Sequence, residues 1–228
     1  MGDEAVASDE SEFWERRHDL SLSPITEEDV AKQGVGRERH LVLLAHLNDG
    51  DLITELQPIR DRLGDFECFE PITEQNLHIT VKVFGNVVEN PSGEAEYSLE
   101  EERELADELG SVLDDFLPFH IEFPRYNLFP TAVYAEVDDD GRFREMNRRV
   151  CGLSNVPVLD RDTVGFIPHL TLGHFTQQSG YERLVEYLET NRRLDLPTTR
   201  VEQVKFVALD FSKGRFPPYE TIETYQFE

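Results

Sequence analysis

The chain is poor in lysine and cysteine and contains no long apolar run. Its two cysteines among 228 residues argue against a disulfide-stabilised scaffold and fit a reducing compartment. No apolar stretch approaches the roughly 18 residues of a membrane-spanning helix, and the acidic first residues contain no apolar signal segment. The length suits one large domain or two small ones. We therefore expect a soluble cytoplasmic protein with no membrane partner.

The charge balance is strongly acidic. The 47 Asp and Glu residues face 22 basic residues, of which four are lysine, and the formal net charge is −25. At low salt such a charge repels polyanions such as RNA, whereas at 1 M salt the Debye length is about 3 Å and distant carboxylates are screened. An acidic, lysine-poor surface is typical of extreme halophiles, and we favour that interpretation. The alternative is an acidic mesophilic protein that does not bind nucleic acid.

A short motif occurs twice, at His78-Ile79-Thr80 and at His169-Leu170-Thr171. Each copy ends in a phenylalanine six positions after its histidine, at Phe84 and Phe175. Chance supplies only about 0.06 such triplets with apolar flanks in a chain of this composition. Because side chains alternate along a strand, the first copy should place its His, its Thr, Lys82 and Phe84 on one face. We expect each His–Thr pair to face a cleft.

These residue types suit acid–base chemistry on a phosphate. Histidine has an ordinary pKa of about 6.5, so it can take up or release a proton near neutrality, and a threonine hydroxyl can bind a phosphate oxygen. The alternatives are two buried, hydrogen-bonded histidines and two ordinary strand threonines. His174 should lie on the opposite strand face from His169, while His40 and His46 read as structural. A metal site formed by His78, His169 and His174 lacks an Asp or Cys ligand with suitable spacing.

The paired motifs, together with the strands around them, resemble the 2H phosphoesterase superfamily. Within it, the nearest likeness is to the 2'-5' RNA ligase family, also called RNA 2',3'-cyclic phosphodiesterases. The resemblance runs from about His40 to the C-terminus, and its further landmarks are the strand His40 to Ala45, Phe123-Pro124, Ala132 to Tyr134, Val207 to Leu209 and Pro218 to Glu220. Many relatives carry a basic residue shortly after the second motif, where this chain has Gly173 and His174.

The resemblance implies an α+β, bilobal fold with two pseudo-symmetric antiparallel sheets around a central groove and helices outside. It implies an enzyme that opens 2',3'-cyclic phosphates at RNA 3' ends, with tRNA as one candidate substrate, and that needs no metal and no cofactor. His78 and His169 would be the general acid and base, and Thr80 and Thr171 would bind the phosphate. The reverse reaction would be ATP-independent 2'-5' ligation. Two rival functions stay open: a non-catalytic RNA-end-binding module, and a phosphodiesterase of a small cyclic nucleotide.

Further substrate contacts are predicted around these motifs. Lys82 would neutralise the phosphate, the alternative being a solvated strand lysine. Arg125 and Tyr126 follow Phe123-Pro124, which form a loop near the groove in relatives. Three aromatic residues could stack a terminal base, although most aromatics simply belong to the core; they are Phe129, Phe216 and Tyr219.

The chain divides into two predicted parts. Residues 1–38 form an acidic N-terminal appendage outside the resemblance, with a disordered first dozen residues and a short helix around Glu27 to Lys32. Residues 39–228 form the 2H phosphoesterase domain. Within it, Pro58 should kink or split the first helix, and Ser98 to Glu101 should cap the next one. We expect a monomer.

Overall fold

The structure is a computed structural model that describes residues 12–24, 28, 38–159, 162 and 165–228. The predicted disorder of the first dozen residues and the predicted helix around Glu27 to Lys32 fall almost entirely outside these ranges. The division of the chain at residue 38 also stays a prediction. Residues 12–24 are described, and they pack against the rest of the protein through partly buried Phe13 and Trp14.

Four α-helices of nine residues or more, three short 3-10 helices and eleven strands are the main regular elements of the described residues. The helices are α1 (Gly50–Gly64), α2 (Leu99–Leu113), α3 (Arg142–Val150) and α4 (Tyr181–Thr190). The strands are β1 (His40–His46), β2 (Phe69–Pro71), β3 (His78–Val87), β4 (Glu96–Tyr97), β5 (Phe119–Ile121), β6 (Tyr126–Phe129), β7 (Ala132–Glu136), β8 (His169–Phe175), β9 (Thr199–Val201), β10 (Gln203–Leu209) and β11 (Tyr219–Gln226). Residues 12–15 form a further helical turn.

Local sequence signals account for the starts of the first two helices. Asp49 caps α1 by accepting hydrogen bonds from the first backbone N–H groups of the helix. The predicted capping box of α2 is confirmed, because the Ser98 side chain and the Glu101 carboxylate satisfy each other's backbone N–H groups. The prediction that Pro58 splits α1 is wrong, while the alternative of a kink stays a prediction. The helix continues through it, since the buried side chains of Leu52 and Leu63 hold both sides of the proline against the core.

The predicted α+β class is confirmed by a large, mostly antiparallel sheet with helices packed on its core face. Its strand order is β11-β10-β1-β3-β8-β7-β6, with β2 added to β8 and β4 paired in parallel with β3. Strands β11, β10, β1 and β3 form the first half of this sheet, and strands β8, β7, β6 and β2 form the second half. Within the described residues the halves meet at one residue pair, Ile79 opposite Leu170. Strands β5 and β9 form a small separate sheet.

The two motif strands share an irregularity that alternation alone does not predict. In β3, Thr80 lies opposite Leu44 while Lys82 lies opposite Leu43, so Val81 is an extra residue, a β-bulge. Strand β8 has the same bulge at Leu172. Both strands therefore show one burial pattern over seven residues, in which positions one, three and six are partly exposed and the other four are buried. The bulge reverses the alternation after the Thr of each motif.

Candidate active site between the two halves of the sheet

The four motif side chains gather where the two halves of the sheet meet. Ile79 and Leu170 are fully buried and face the core, so the residues on either side of each face the opposite surface. An antiparallel pair at this point puts His78 beside Thr171 and Thr80 beside His169, while diagonal neighbours in such a pair are about 7–8 Å apart. The register thus brings two imidazoles and two hydroxyls together around a local twofold, and we call this set the His–Thr quartet.

Both imidazoles of the quartet are oriented by the same hydrogen bond. His78 Nδ1 lies 2.6 Å from the Asn76 carbonyl oxygen, and His169 Nδ1 lies 2.7 Å from the Ile167 carbonyl oxygen. Because a carbonyl oxygen only accepts, Nδ1 carries a proton in each ring, and Nε2 is left to exchange protons. Burial lowers the pKa of His78 below its usual value, although the bond to Asn76 opposes this effect. His78 is therefore neutral near pH 7.

A cavity opens beside His169. Its volume of about 500 Å³ falls within the range of small-molecule sites. The lining comprises Glu12, Phe13, Thr80, Val83, Phe129, Gly165, Phe166, Ile167 and His169. We call it the His169 cavity. It joins quartet members from both motifs to three aromatic side chains and to the start of the described N-terminal segment.

Aromatic rings surround the His169 imidazole. The Phe129 ring centroid lies 5.0 Å from that of His169 and stacks on Tyr134 at 4.2 Å. Tyr134 itself lies 5.3 Å from the His169 ring, because it pairs with Thr171 across the sheet. The structure therefore brings the predicted Phe129 into the site. It adds Tyr134, whose place beside the motif depends on a strand pairing that no local pattern reveals.

The groove face also holds a third histidine. The predicted position of His174, on the face opposite His169, is wrong, because the bulge at Leu172 returns it to the groove side. The Phe216 ring stacks on His174 with centroids 5.7 Å apart, and Arg215 beside it forms an ion pair with Glu70. Burial is the main cause that lowers the pKa of His174 to about 4. This imidazole is neutral at physiological pH, so it adds no positive charge to the groove.

Lys82 does not reach the groove. The bulge at Val81 turns its side chain to the core face, where it is fully buried. Its ammonium donates to the Pro157 carbonyl oxygen at 2.7 Å and forms an ion pair with Asp162. The prediction that Lys82 neutralises a phosphate is therefore wrong, and so is the assignment of Phe84 to the face of His78. Lys82 instead ties β3 to the loop that precedes β8.

The structure places the two predicted RNA-binding residues that follow Phe123-Pro124 in different surroundings. Tyr126 is only 2% exposed, because the alternation of β6 turns its ring into the core, so the prediction that it contacts RNA is wrong. Arg125 is half exposed and pairs with the buried carboxylate of Glu136, the cross-strand neighbour of His169. Arg125 is thus placed near the quartet, while Glu136 was not anticipated from the sequence.

Tyr219 lies at the other end of the site. Its ring centroid is 5.5 Å from that of His46, which pairs in register with His78.

Among the described residues, no group of three or more His, Cys, Asp or Glu side chains is placed to hold a metal ion. Nor is any helix in the described ranges long and apolar enough to cross a membrane.

This geometry, a groove crossed by two equivalent His-x-Thr strands, is that of a 2H phosphoesterase. A family model described as the 2'-5' RNA ligase superfamily matches residues 49–210. The chain belongs to the 2'-5' RNA ligase superfamily. The family predicted from the paired motifs is therefore confirmed.

Known proteins with this fold include relatives of established name. The RNA 2',3'-cyclic phosphodiesterase of Methanothermobacter thermautotrophicus is 23% identical over 190 residues, which are 81% of this chain and 96% of the relative. The structure of TT0787 from Thermus thermophilus superposes with a TM-score of 0.59 at 19% identity, over 82% of this chain and 97% of that one. E. coli LigT in complex with 3'-AMP gives a TM-score of 0.56 at 14% identity, over 83% and 97%.

Proposed function

We propose that the protein is a metal-independent RNA 2',3'-cyclic phosphodiesterase in which His78 and His169 are the general acid and base. The observation that carries the proposal is the duplicated hydrogen bond of Nδ1 to the carbonyl two residues earlier. It gives both rings the same tautomer and directs the second nitrogen of each away from the backbone. The two strands also share one burial pattern, so the two imidazoles are held alike. This supports one acting as the base and the other as the acid, because the reaction transfers a proton at each end of one phosphate.

The proposed reaction moves one proton at each end of the phosphate. A water molecule attacks the phosphorus while one Nε2 takes its proton, and the bond to one ribose oxygen breaks as the other imidazolium protonates that oxygen. The products are a phosphomonoester and a ribose hydroxyl. The hydroxyls of Thr80 and Thr171 donate to the non-bridging oxygens as negative charge develops there. Attack by a ribose hydroxyl in place of water, by the same steps, is ligation without ATP.

Single substitutions in the quartet test this mechanism. We expect His78→Gln and His169→Gln each to lower kcat by about 10²–10⁴-fold, because glutamine cannot transfer a proton. His40→Gln is the matched control, since His40 bonds Asn86 at the far end of β3 and should leave turnover unchanged. The assay is hydrolysis of a 2',3'-cyclic nucleotide and of an oligoribonucleotide with a 2',3'-cyclic end, after EDTA treatment. Wild-type turnover by either quartet variant would refute the proposal.

The same two substrates separate the rival functions. Affinity for a 2',3'-cyclic end without turnover would favour a binding module. The His169 cavity, at about 500 Å³, has room for a mononucleotide, which is the observation that favours a small cyclic nucleotide as substrate. A higher kcat/KM on the mononucleotide than on the oligoribonucleotide would support that second candidate. We expect the opposite ranking if RNA ends are the natural substrate.

We also propose that the enzyme works in a salty cytoplasm. The net charge of −25 supports this, because screening is what would let a polyanion approach such a surface. We expect kcat/KM on the oligoribonucleotide and the free energy of unfolding both to rise between about 0.1 M and 2 M KCl, the Debye length falling below about 3 Å over that interval. Full activity and full stability at 0.1 M KCl would contradict the halophilic interpretation.

A further inference from the structure

The described N-terminal segment, residues 12–24, is fastened to the second half of the sheet. The Arg17 guanidinium donates to the Glu189 carboxylate at 2.6 Å, and the Tyr181 hydroxyl donates to the Arg17 carbonyl oxygen at 2.7 Å. At its other end, the Ser23 N–H donates to the Pro130 carbonyl oxygen at 2.8 Å, in the turn between β6 and β7. The segment is therefore fixed both to helix α4 and to the turn that directly follows Phe129.

Trp14 sets the position of the residues before it. The Arg192 guanidinium lies 3.4 Å from the Trp14 ring centroid, and that of Arg17 lies 4.8 Å from it. Such cation–π contacts hold an indole ring in a defined orientation. Arg17 Nη1 also donates to the Trp14 carbonyl oxygen at 2.8 Å. Because Trp14 is held in this way, the adjacent Phe13 and Glu12 are placed to line the His169 cavity.

Phe13 adds an aromatic ring to that cavity. Its centroid lies 5.4 Å from that of Phe129 at an interplanar angle of 86°, and Phe129 in turn contacts His169. Phe166 lines the same space. The segment precedes residue 49, where the family match begins, and the curated relative is covered over 96% of its length by 81% of this chain. Phe13 therefore lies outside the residues that the family model matches, whereas Phe129 and Phe166 lie within them.

We propose that residues 12–24 complete the substrate pocket, and that Phe13, Phe129 and Phe166 form the stacking site for the nucleobase of the nucleotide that bears the cyclic phosphate. This inference rests on the proposed function and names the element that binds the base. Thr80 and His169 line the same cavity, so a phosphate held by the quartet lies beside this site. Glu12 in the wall repels a second phosphate, whereas an uncharged base stacks on aromatic faces whatever its sequence.

The test compares a substrate that has a base with one that lacks it. The substrates are adenosine 2',3'-cyclic phosphate and ribose 2',3'-cyclic phosphate without a base, assayed in the full chain at one salt concentration. We expect Phe13→Ala to raise KM about tenfold for the adenosine substrate, with kcat changed less than about twofold, as for loss of one stacking ring. For the substrate without a base, neither constant should change.

Further variants separate stacking from packing. Phe13→Leu keeps apolar volume but loses the flat ring, so it should resemble Phe13→Ala, whereas Phe13→Trp should keep the wild-type KM. Leu117→Ala, at an exposed leucine in the loop after α2, is the remote control and should behave as wild type. Urea unfolding of each variant checks that the fold is intact.

Each outcome has a defined meaning. If the wild type turns over both substrates and Phe13→Ala leaves KM unchanged, the stacking site is refuted while the proposed function survives. An equal rise in KM for both substrates would also refute it, since the segment would then act only on the shape of the quartet. If the wild type turns over neither substrate, the proposed function fails. Calorimetric binding of adenosine 2'-monophosphate then decides the stacking site, which predicts about tenfold weaker binding by Phe13→Ala.

Discussion

Replacing Lys82 by methionine should destabilise the protein severely without changing how it binds a phosphate. The Lys82 side chain is fully buried, and its ion-pair partner Asp162 has a side chain only 2% exposed. Methionine fills a similar volume but leaves the Asp162 carboxylate in the core. Among the described residues, that carboxylate would keep the hydrogen bonds from the Leu159 N–H, at 2.8 Å, and from Asn147 Nδ2, at 3.3 Å.

The expected magnitude follows from the cost of an unpaired buried charge. Removal of one partner from a buried ion pair costs about 3–5 kcal/mol, a large share of the roughly 5–15 kcal/mol that holds a typical domain folded. Adding Asp162→Asn to Lys82→Met removes that charge, while the amide oxygen still accepts from Leu159. We expect the double variant to lose only about 1–2 kcal/mol, so the second substitution should restore about 2–3 kcal/mol of the stability that the first one removes.

Urea unfolding at a fixed 2 M KCl measures both quantities, and steady-state kinetics at the same salt measures KM. A Lys82→Met variant within about 1 kcal/mol of the wild type would refute the reasoning about the buried pair. A variant of unchanged stability but with KM raised several-fold would go further, because it would restore Lys82 as a phosphate ligand. The double variant guards against a single variant too unstable to study.

Two further predictions concern the second motif strand, and the same unfolding assay checks them. Gly173→Ala should cost about 1–3 kcal/mol, because its Cβ would collide with the Glu70 carbonyl oxygen and lie about 2.5 Å from the Phe69 ring. Gly50→Ala, with open space around it, should be neutral or stabilise by up to about 1 kcal/mol, and equal effects of the two variants would contradict the packing argument. His174 binds its proton less readily when folded, at a pKa of about 4, than when unfolded, at about 6.5. His174 should therefore contribute a loss of about 3 kcal/mol in the free energy of unfolding as the pH drops from above 6.5 to below 4, in addition to the losses from His46 and His78, whose pKa values burial also lowers. A His174→Phe variant whose stability falls with pH as steeply as that of the wild type would disprove the assignment.

The sequence predicted what depends on local pattern and family likeness. The superfamily and the α+β class follow from the resemblance that the paired motifs carry. The capping box of α2 and the exposure of the first and third residues of each motif follow from capping chemistry and strand periodicity. The roles of His78 and His169 stay proposals, although the structure brings both rings to one groove. What failed were predictions that extended strict alternation too far. Lys82 and His174 each lie on the face opposite to the one predicted, and the proline in α1 is tolerated because tertiary packing outweighs its local cost.

Contacts between distant segments could not be predicted from the sequence for a different reason. Phe13 meets Phe129 and Glu136 lies beside His169 only because the chain folds back on itself, and no spacing within either segment encodes the meeting. Tyr126 was wrongly predicted for the same reason, because a pairing between strands decides its orientation. Its position next to an expected groove loop suggested a contact with RNA, but the register of β6 with β7 decides which way its ring points, and it points into the core.

The spacing of residues within each motif nevertheless indicates the two bulges. The phenylalanine of each motif follows its histidine by six positions, an even number that strict alternation would place on the same face. Phe84 and Phe175 are nevertheless fully buried and pack against core aromatics, while both histidines face the groove. A strand with one buried face cannot satisfy both demands unless one residue is inserted between them. An even spacing between a groove histidine and a large core ring, repeated in both copies, therefore indicates a bulge in each strand. It also predicts that Lys82 and His174 each lie on the face opposite to the one that strict alternation gives them.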